Sequence, residues 1–254
     1  MSTQATSPMS IKQLLQQATE MLSRSSDSAR IDAQAILCHV LDCNSAYLMT
    51  WPEKTPDPEQ LKQFEQLLAK RARGIPVAYL TGEREFWSLP FYVNEHVLIP
   101  RPETETLVEF ILQHFADSTT LKVLDMGTGS GAIAISLAHE KPGWQLSACD
   151  ISEQALAMAA KNNRRHNTGV NLVHSNWFAN ITEKDFDIIV SNPPYIDPDD
   201  PHLQQGDVRF EPDAALSAAN NGMADIELLC RQAPGYLKEK GLLVVEHGYN
   251  QQQA

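Results

Sequence analysis

Long apolar runs and paired cysteines are both missing from this chain of 254 residues. No segment approaches the roughly 18 apolar residues of a membrane-spanning helix, so no membrane association is expected. The polar segment from Met1 to Ser10 lacks the apolar core of a signal peptide, which predicts a cytoplasmic protein. The cysteines form no Cys-x-x-Cys pair and the histidines lack ligand spacing, so reduced thiols and no metal site are expected.

An excess of positive charge is missing as well, because the formal net charge is −12. Proteins that bind duplex nucleic acid normally present a basic face to the phosphates, so stable nucleic-acid binding is not expected. Two basic clusters do occur, at residues 70–73 and 164–166. Both fall near expected helix C-termini, where cations stabilise the helix dipole.

Helical periodicity alone runs through residues 1–75. Apolar residues recur there at three- and four-residue spacing in three segments, the last of which ends at Gly74. One apolar stripe per helix predicts a small N-terminal helical bundle. Residues 76–101 then combine aromatic and β-branched residues with turn signals, which predicts a β-hairpin linker.

Strands and helices alternate from residue 102 onward. A helix containing Pro234 is expected over residues 223–238. The expected strands are residues 121–125, 145–149, 170–173, 186–190 and 242–245. This alternation predicts an α/β domain over residues 102–254, with a doubly wound, mostly parallel, Rossmann-like sheet covered on both faces.

A glycine-rich segment, Asp125 to Ala132, joins the first of these strands to the next helix. Glycines allow a tight turn and a close approach to a ligand, and the helix N-terminus offers free N–H groups. Asp150 ends the following strand, where a carboxylate can accept hydrogen bonds from a ribose diol. The segment therefore predicts a cofactor that carries a nucleoside, and both a nicotinamide dinucleotide and S-adenosylmethionine fit it.

A second motif, Asn-Pro-Pro-Tyr at residues 192–195, directly follows a buried strand. Ligands of a doubly wound sheet bind beyond the carboxyl ends of its strands, so this turn is expected beside the glycine-rich segment. Prolines cannot donate backbone hydrogen bonds and have fixed φ angles, which leaves the carbonyls of the turn rigidly aimed. The alternative is a proline-rich turn without chemistry.

The motif suits methylation of a planar nitrogen. The lone pair of an amide or aromatic amino nitrogen is delocalised, so such a nitrogen is a poor nucleophile. The Asn192 side-chain oxygen and the Pro193 carbonyl can accept hydrogen bonds from its two N–H groups. These hydrogen bonds raise the electron density on the nitrogen and orient it toward a sulfonium methyl. Tyr195 can pack on the planar group or serve the fold alone. Asn192, Pro193 and Tyr195 are the predicted catalytic residues, and no strong general base is needed.

Four segments occur in order along the chain: residues 98–105, the glycine-rich segment, residues 176–178 and the Asn-Pro-Pro-Tyr motif. Together with the helical N-terminal region they resemble the peptide chain release factor glutamine methyltransferase family, from about Ser10 to the end of the chain. The resemblance implies a class I methyltransferase that uses S-adenosylmethionine to methylate the glutamine of the Gly-Gly-Gln motif in class I release factors. It also implies that the N-terminal bundle recognises this protein substrate.

The resemblance implies roles for individual residues. Arg101 to Glu105 either cover the site or only begin a helix. Asn192 contacts both cofactor and substrate, and the other implied contacts to S-adenosylmethionine are Gly127, Thr128, Gly129, Ser130, Gly131, Asp150 and Trp177. The residues implied to hold the glutamine are Asn192, Pro193, Pro194 and Tyr195.

Other functions remain open at this point. The same tetrapeptide serves amino-group methyltransferases acting on adenine or guanine in DNA or RNA, although the net charge opposes a basic groove. A nicotinamide oxidoreductase would leave that tetrapeptide idle. The acidic segment 197–213 suits either a basic protein partner or a solvated loop.

The C-terminus is a departure from the family pattern. Proteins of this fold normally add a helix and an antiparallel strand pair after the fifth strand, and the sequence stops at Ala254 before them. We therefore expect a C-terminally truncated sheet, whose edge is exposed or covered by a partner. This expectation keeps a non-catalytic binding protein as an alternative of another class.

Overall fold

The computed structural model describes residues 9–251. The chain divides into two compact units, one ending at Thr81 and the other beginning at Gly82. The linker predicted over residues 76–101 is divided between them, because residues 77–81 are helical whereas a hairpin begins within the second unit.

The first unit contains only helices. They are α1 Ile11–Leu22, α2 Ala29–Leu41, α3 Ser45–Thr50, α4 Pro58–Ala72 and α5 Val77–Thr81. Ser10 and Asp57 begin α1 and α4 with capping boxes, in which side chain and backbone satisfy each other's free N–H groups. The short helix α3 was not predicted, because it buries only Leu48 and so has no apolar stripe.

The basic clusters are partly used inside the protein. Arg71 lies in a buried ion pair, with its Nε 2.7 Å from an Asp32 carboxylate oxygen. Arg165 pairs with Glu83 at 2.7 Å and stacks on the ring of Tyr92. The helix-dipole explanation was therefore incomplete for both clusters, since each supplies a cation to a specific tertiary contact.

The second unit begins with an antiparallel hairpin and continues as an α/β layer structure. Its sheet has five parallel strands in the order β5-β4-β3-β6-β7, as predicted for a doubly wound domain. The elements in chain order are β1 Glu83–Phe86, β2 Leu89–Tyr92, α6 Glu105–His114, β3 Lys122–Met126, α7 Ala132–Glu140, β4 Gln145–Asp150, α8 Glu153–Arg165, β5 Asn171–His174, β6 Phe186–Ser191, α9 Ala224–Gln232 and β7 Leu237–Val245.

Alternate residues of the central strands supply two separate cores. Val123 and Ile188 pack on one face of the sheet, in a cluster with residues of α6 and α7. Leu124 and Ile189 pack on the other face, in a cluster that includes Leu229 of α9. Burial on both faces explains why these strands are continuous apolar runs.

The prediction for residues 223–238 was wrong in its second half. Helix α9 ends at Gln232 and a single 3-10 turn contains Pro234, because proline removes a helical hydrogen bond and clashes with the preceding turn. Strand β7 then begins at Leu237, five residues before the expected start at residue 242. A register irregularity opposite β6 and a positive φ of 67° at Lys240 mark the break that obscured this strand in the sequence.

Within residues 9–251, no helix is both long and apolar enough to cross a membrane. The same residues contain no grouping of three or more metal-ligating side chains.

Candidate active site

The topology brings the two sequence motifs to one edge of the sheet. The chain runs from the central strand β3 outward to β4 and β5, then crosses back to β6 on the other side of β3 and continues to β7, which places a topological switch point between β3 and β6. Ligands bind at such a switch point, beyond the carboxyl ends of the strands. The glycine-rich segment follows β3 and the Asn-Pro-Pro-Tyr motif follows β6, and Ser191 ties them by donating to the Met126 carbonyl at 2.6 Å.

The glycine-rich segment forms a tight turn over the end of β3. The backbone N–H groups of Gly127 and Thr128 both donate to the Cys149 carbonyl at 2.9 Å, which joins the turn to β4. Gly131 has a φ of 86°, and a Cβ there would lie 2.7 Å from the side chain of Ile135. A side chain at this position would be strained by the positive φ and would displace the end of the Ile135 side chain.

Asp125 supports this turn from below. Its side chain is fully buried, and one carboxylate oxygen accepts hydrogen bonds from the Thr128 hydroxyl at 2.6 Å and the Ala134 N–H at 3.3 Å. The other oxygen has no hydrogen-bond partner among the described residues. Burial raises the pKa of Asp125 to about 7, against the lowering effect of both hydrogen bonds.

A cavity of about 400 Å³ opens beside the turn. Gly127, Gly129 and Asp150 line it, and Asp150 accepts hydrogen bonds from the Gly129 and Ser152 N–H groups, both at 2.9 Å. Trp177 lines the same cavity, and its indole N–H donates to Asp225 at 3.1 Å. The cavity thus presents carboxylates, an aromatic ring and an open glycine backbone.

Asn192 lies where this cavity meets a smaller one of about 150 Å³, since it lines both. Its side-chain NH₂ donates to the Thr104 hydroxyl at 3.0 Å, and Thr104 is buried. No other hydrogen bond to the Asn192 side chain occurs within residues 9–251. This contact fixes the amide so that its oxygen remains available as an acceptor.

The smaller cavity takes its walls from the tetrapeptide and from two loops. Pro193 and Tyr195 line it together with Arg101. Arg101 forms a hydrogen-bonded ion pair with Glu211, whose other oxygen accepts from the Ile99 N–H at 3.0 Å. Burial raises the pKa of the Glu211 carboxyl, while Arg101 acts in the opposite direction. This pair connects the segment before α6 to the acidic segment 197–213.

Tyr195 is held at both its hydroxyl and its backbone. The hydroxyl donates to Glu246, the residue after β7, at 3.0 Å, and the carbonyl accepts from the Gln251 side chain at 2.9 Å. Burial and the neighbouring Glu246 carboxylate raise the pKa of Tyr195 to about 12. Gly222 approaches the same carbonyl so closely that a Cβ there would lie 2.1 Å from it.

Comparisons with known proteins agree over most of the chain. The PrmC N-terminal domain model matches residues 13–82, and the Methyltransferase small domain model matches residues 103–207. Release factor glutamine methyltransferase of Shewanella oneidensis is 51% identical over 242 residues, which cover 95% of this chain and 84% of that protein. The chain belongs to the release factor glutamine methyltransferase family.

Another member of this family is release factor glutamine methyltransferase of Escherichia coli strain K12. It is 43% identical to this chain over 247 residues, which cover 97% of this chain and 88% of that protein. Among solved structures, a methyltransferase from Pyrococcus furiosus aligns with a TM-score of 0.47 and 18% identity, covering 74% of this chain and 78% of that one. Family membership confirms the resemblance and makes the chain an S-adenosylmethionine-dependent methyltransferase. The nicotinamide and non-catalytic alternatives are set aside.

The predicted site residues of this family member fall into three groups. Those lining the larger cavity are Gly127, Gly129, Asp150, Trp177, Asn192 and Pro194. Pro193 and Tyr195 instead line the smaller cavity with Asn192. Thr128, Ser130 and Gly131 are buried and line neither cavity, and the Thr128 hydroxyl bonds Asp125 instead. Their assigned contacts to the cofactor stay predictions.

Four residues that the sequence reasoning did not assign to the site contact it. Glu211, Asp225 and Glu246 hold Arg101, Trp177 and Tyr195 by the bonds described above, and Gly222 approaches Tyr195. Each is separated from its partner by 27 to 110 residues, so no local spacing connects them. The sequence reasoning included Thr104 only within the segment that covers the site or begins a helix. Thr104 ends a 3-10 turn and directly precedes α6, and its hydroxyl also accepts the hydrogen bond from Asn192.

Proposed function

We propose that this protein transfers a methyl group from S-adenosylmethionine to the side-chain amide nitrogen of the glutamine in the Gly-Gly-Gln motif of class I release factors. The observation that carries the proposal is the position of Asn192, which lines both cavities and has a free amide oxygen. A cofactor in the larger cavity and a side-chain amide in the smaller one would meet at this residue. Family membership supports the same substrate.

The larger cavity fits the cofactor in size and in chemistry. Its volume of about 400 Å³ lies within the usual range for small-molecule sites. Asp150 would accept hydrogen bonds from the ribose diol, Trp177 would contact the nucleoside, and Gly127 and Gly129 would allow close backbone approach. When bound, S-adenosylmethionine supplies an electrophilic methyl group on a sulfonium.

The smaller cavity fits a primary amide. The Asn192 oxygen and the Pro193 carbonyl are two acceptors for one NH₂ group, and no hydrogen bond occupies the Pro193 carbonyl within the described residues. Accepting both N–H bonds orients the nitrogen and raises its electron density. Tyr195 lines the same cavity and would pack on the planar group. Pro194 lines the larger cavity instead, and its contact to the glutamine stays a prediction.

No side chain of the site is needed as a strong base. Tyr195 stays protonated at neutral pH, because its pKa is about 12. The hydroxyl therefore donates to Glu246 and keeps the ring in place rather than removing a proton. An amide nitrogen becomes strongly acidic once it is alkylated, so its proton passes to water.

Class I release factors are the proposed partners, and stable nucleic-acid binding is not part of the proposal. The acidic segment 197–213 borders the smaller cavity through Val208, and a basic protein surface would be attracted to it. Substrate recognition by the N-terminal helical unit and a cytoplasmic location also remain predictions.

One labelling experiment tests the substrate. The purified chain is incubated with methyl-labelled S-adenosylmethionine and a class I release factor and, in a parallel reaction, with methyl-labelled S-adenosylmethionine, duplex DNA and structured RNA. Label is expected on the release factor alone, and Asn192→Ala is expected to abolish transfer while retaining part of the cofactor affinity. Gln113→Ala, which removes an exposed amide on α6, is the control. Label only on nucleic acid, or full activity of Asn192→Ala, would refute the proposal.

A further inference from the structure

The larger cavity carries negative charge without a compensating cation. Asp150 and Asp225 both line it, and no lysine or arginine within residues 9–251 does so. Its other titratable groups are His96 and Cys149, and burial raises the pKa of Cys149 to about 12, so that thiol is neutral. Burial raises the pKa of Asp225 and the hydrogen bond from Trp177 lowers it. With both carboxylates ionised, the side chains that line the cavity carry a net negative charge.

The two carboxylates differ in how many of their oxygens are engaged. Both oxygens of Asp150 accept backbone N–H bonds, from Gly129 and Ser152. Asp225 accepts only one bond from the described residues, through Oδ1 from the Trp177 indole. Its second oxygen is uncommitted, and the bond to Trp177 fixes the carboxylate in the wall of the cavity.

We propose that Asp225 makes this cavity prefer the cationic methyl donor over the neutral product that remains after transfer. The inference rests on the proposed placement of S-adenosylmethionine in the larger cavity. S-adenosylmethionine carries two positive groups, a sulfonium and an ammonium, and one carboxylate of its own, so it is a net cation. S-adenosylhomocysteine lacks the sulfonium charge and is net neutral. A fixed carboxylate in a partly desolvated cavity attracts the net cation and gives the net neutral product no equivalent gain.

The functional consequence concerns the end of the catalytic cycle. Donor and product share the nucleoside and amino-acid parts, so contacts to those parts stabilise both equally. Charge is the property that differs most between them. Asp225 would therefore lower product inhibition, because loss of the sulfonium charge weakens the attraction as soon as transfer is complete.

Calorimetric titration of the full chain with each ligand separately tests this role without measuring activity. Asp225→Asn removes the charge with little change in shape and is expected to weaken donor binding about tenfold while weakening product binding about twofold or less. Trp177→Phe keeps the charge but removes the hydrogen bond that fixes the carboxylate, so it is expected to weaken both ligands and to reduce the preference for the donor less than Asp225→Asn does. Asp117→Asn, on an exposed acid that does not line the cavity, is expected to change neither.

The outcomes separate the inference from the function on which it rests. Equal weakening of donor and product in Asp225→Asn, including loss of both, would contradict charge selection. An unchanged ratio of the two dissociation constants would contradict it as well. If the wild-type chain bound neither ligand, the assignment of the cavity to S-adenosylmethionine would be wrong, and the charge inference would be refuted with it.

Discussion

At the scale of single residues, the Asn192 amide is controlled by Thr104. Thr104 is buried, and its hydroxyl accepts a hydrogen bond from the Asn192 side-chain NH₂ group at 3.0 Å. Thr104→Val has nearly the same shape but lacks this acceptor, so the amide is no longer held with its oxygen toward the substrate. We expect a fall in kcat of about ten- to hundredfold, because misorientation at the reacting centre is costly.

Steady-state kinetics with a release factor measure this effect. Thr104→Ser restores the acceptor and is expected to recover most of the activity, with cofactor affinity unchanged in both variants. A similar loss in Thr104→Ser and Thr104→Val would show that packing by the methyl group matters, rather than amide orientation.

Asp125 gives a prediction for stability against pH. Its pKa in the folded protein is about 7 against an ordinary value of 3.8, so the folded state binds more protons than the unfolded state between these values. Its contribution to the free energy of unfolding is therefore full below the ordinary pKa and is lost as pH rises toward 7.

Asp125→Asn removes this pH-dependent contribution to the free energy of unfolding, and its amide oxygen can still accept the hydrogen bonds from Thr128 and Ala134. Denaturant unfolding from pH 4 to pH 7 is expected to show wild type losing stability relative to Asp125→Asn, with a limiting slope of about 1.4 kcal/mol per pH unit. Parallel stability curves for the two proteins would mean that Asp125 is ionised throughout this range.

At the scale of elements, the loop before α9 depends on Gly222. This residue has a φ of 81°, and a Cβ would lie 2.1 Å from the Tyr195 carbonyl oxygen. Gly222→Ala must displace either that loop or the tetrapeptide, so we expect a destabilisation of about 2–4 kcal/mol and reduced substrate affinity. Gly169→Ala is the matched control, since open space surrounds that position. Equal melting temperatures for the two variants would contradict this account.

The elements that the sequence predicted well are those with an uninterrupted local pattern. The strands β3, β4 and β6 are buried on both faces, so their apolar runs are visible without knowledge of the fold. Strand β7 was placed too late because Lys238, Glu239 and Lys240 interrupt its apolar pattern. These polar residues are exposed at the start of the strand, where no second core selects apolar side chains.

The same distinction applies to the site. The glycine-rich segment and the Asn-Pro-Pro-Tyr motif are contiguous, so their chemistry could be inferred directly. The contacts of Thr104 with Asn192 and of Asp225 with Trp177 span 88 and 48 residues, and only the folded chain brings them together. Arg71 was likewise assigned to a helix end, whereas its carboxylate partner lies 39 residues away.

At the scale of the whole molecule, charge gives a prediction about the partner. The net charge is −12, and the acidic segment 197–213 borders the proposed substrate cavity through Val208. If this segment meets a basic surface of the release factor, kcat/KM is expected to fall as ionic strength rises, because salt screens attraction between exposed charges. A short uncharged peptide containing Gly-Gly-Gln should show no such dependence. Identical salt profiles for protein and peptide would exclude electrostatic recognition.

The measurement that tests the central claim most directly is the location of the transferred methyl group. After reaction with S-adenosylmethionine, the release factor is digested and its Gly-Gly-Gln peptide is sequenced by mass spectrometry, beside a release factor in which that glutamine is replaced by glutamate. The account predicts a single methyl group on the glutamine side-chain nitrogen and none on the replaced protein. Equal methylation of both proteins, or a methyl group elsewhere in the peptide, would contradict it.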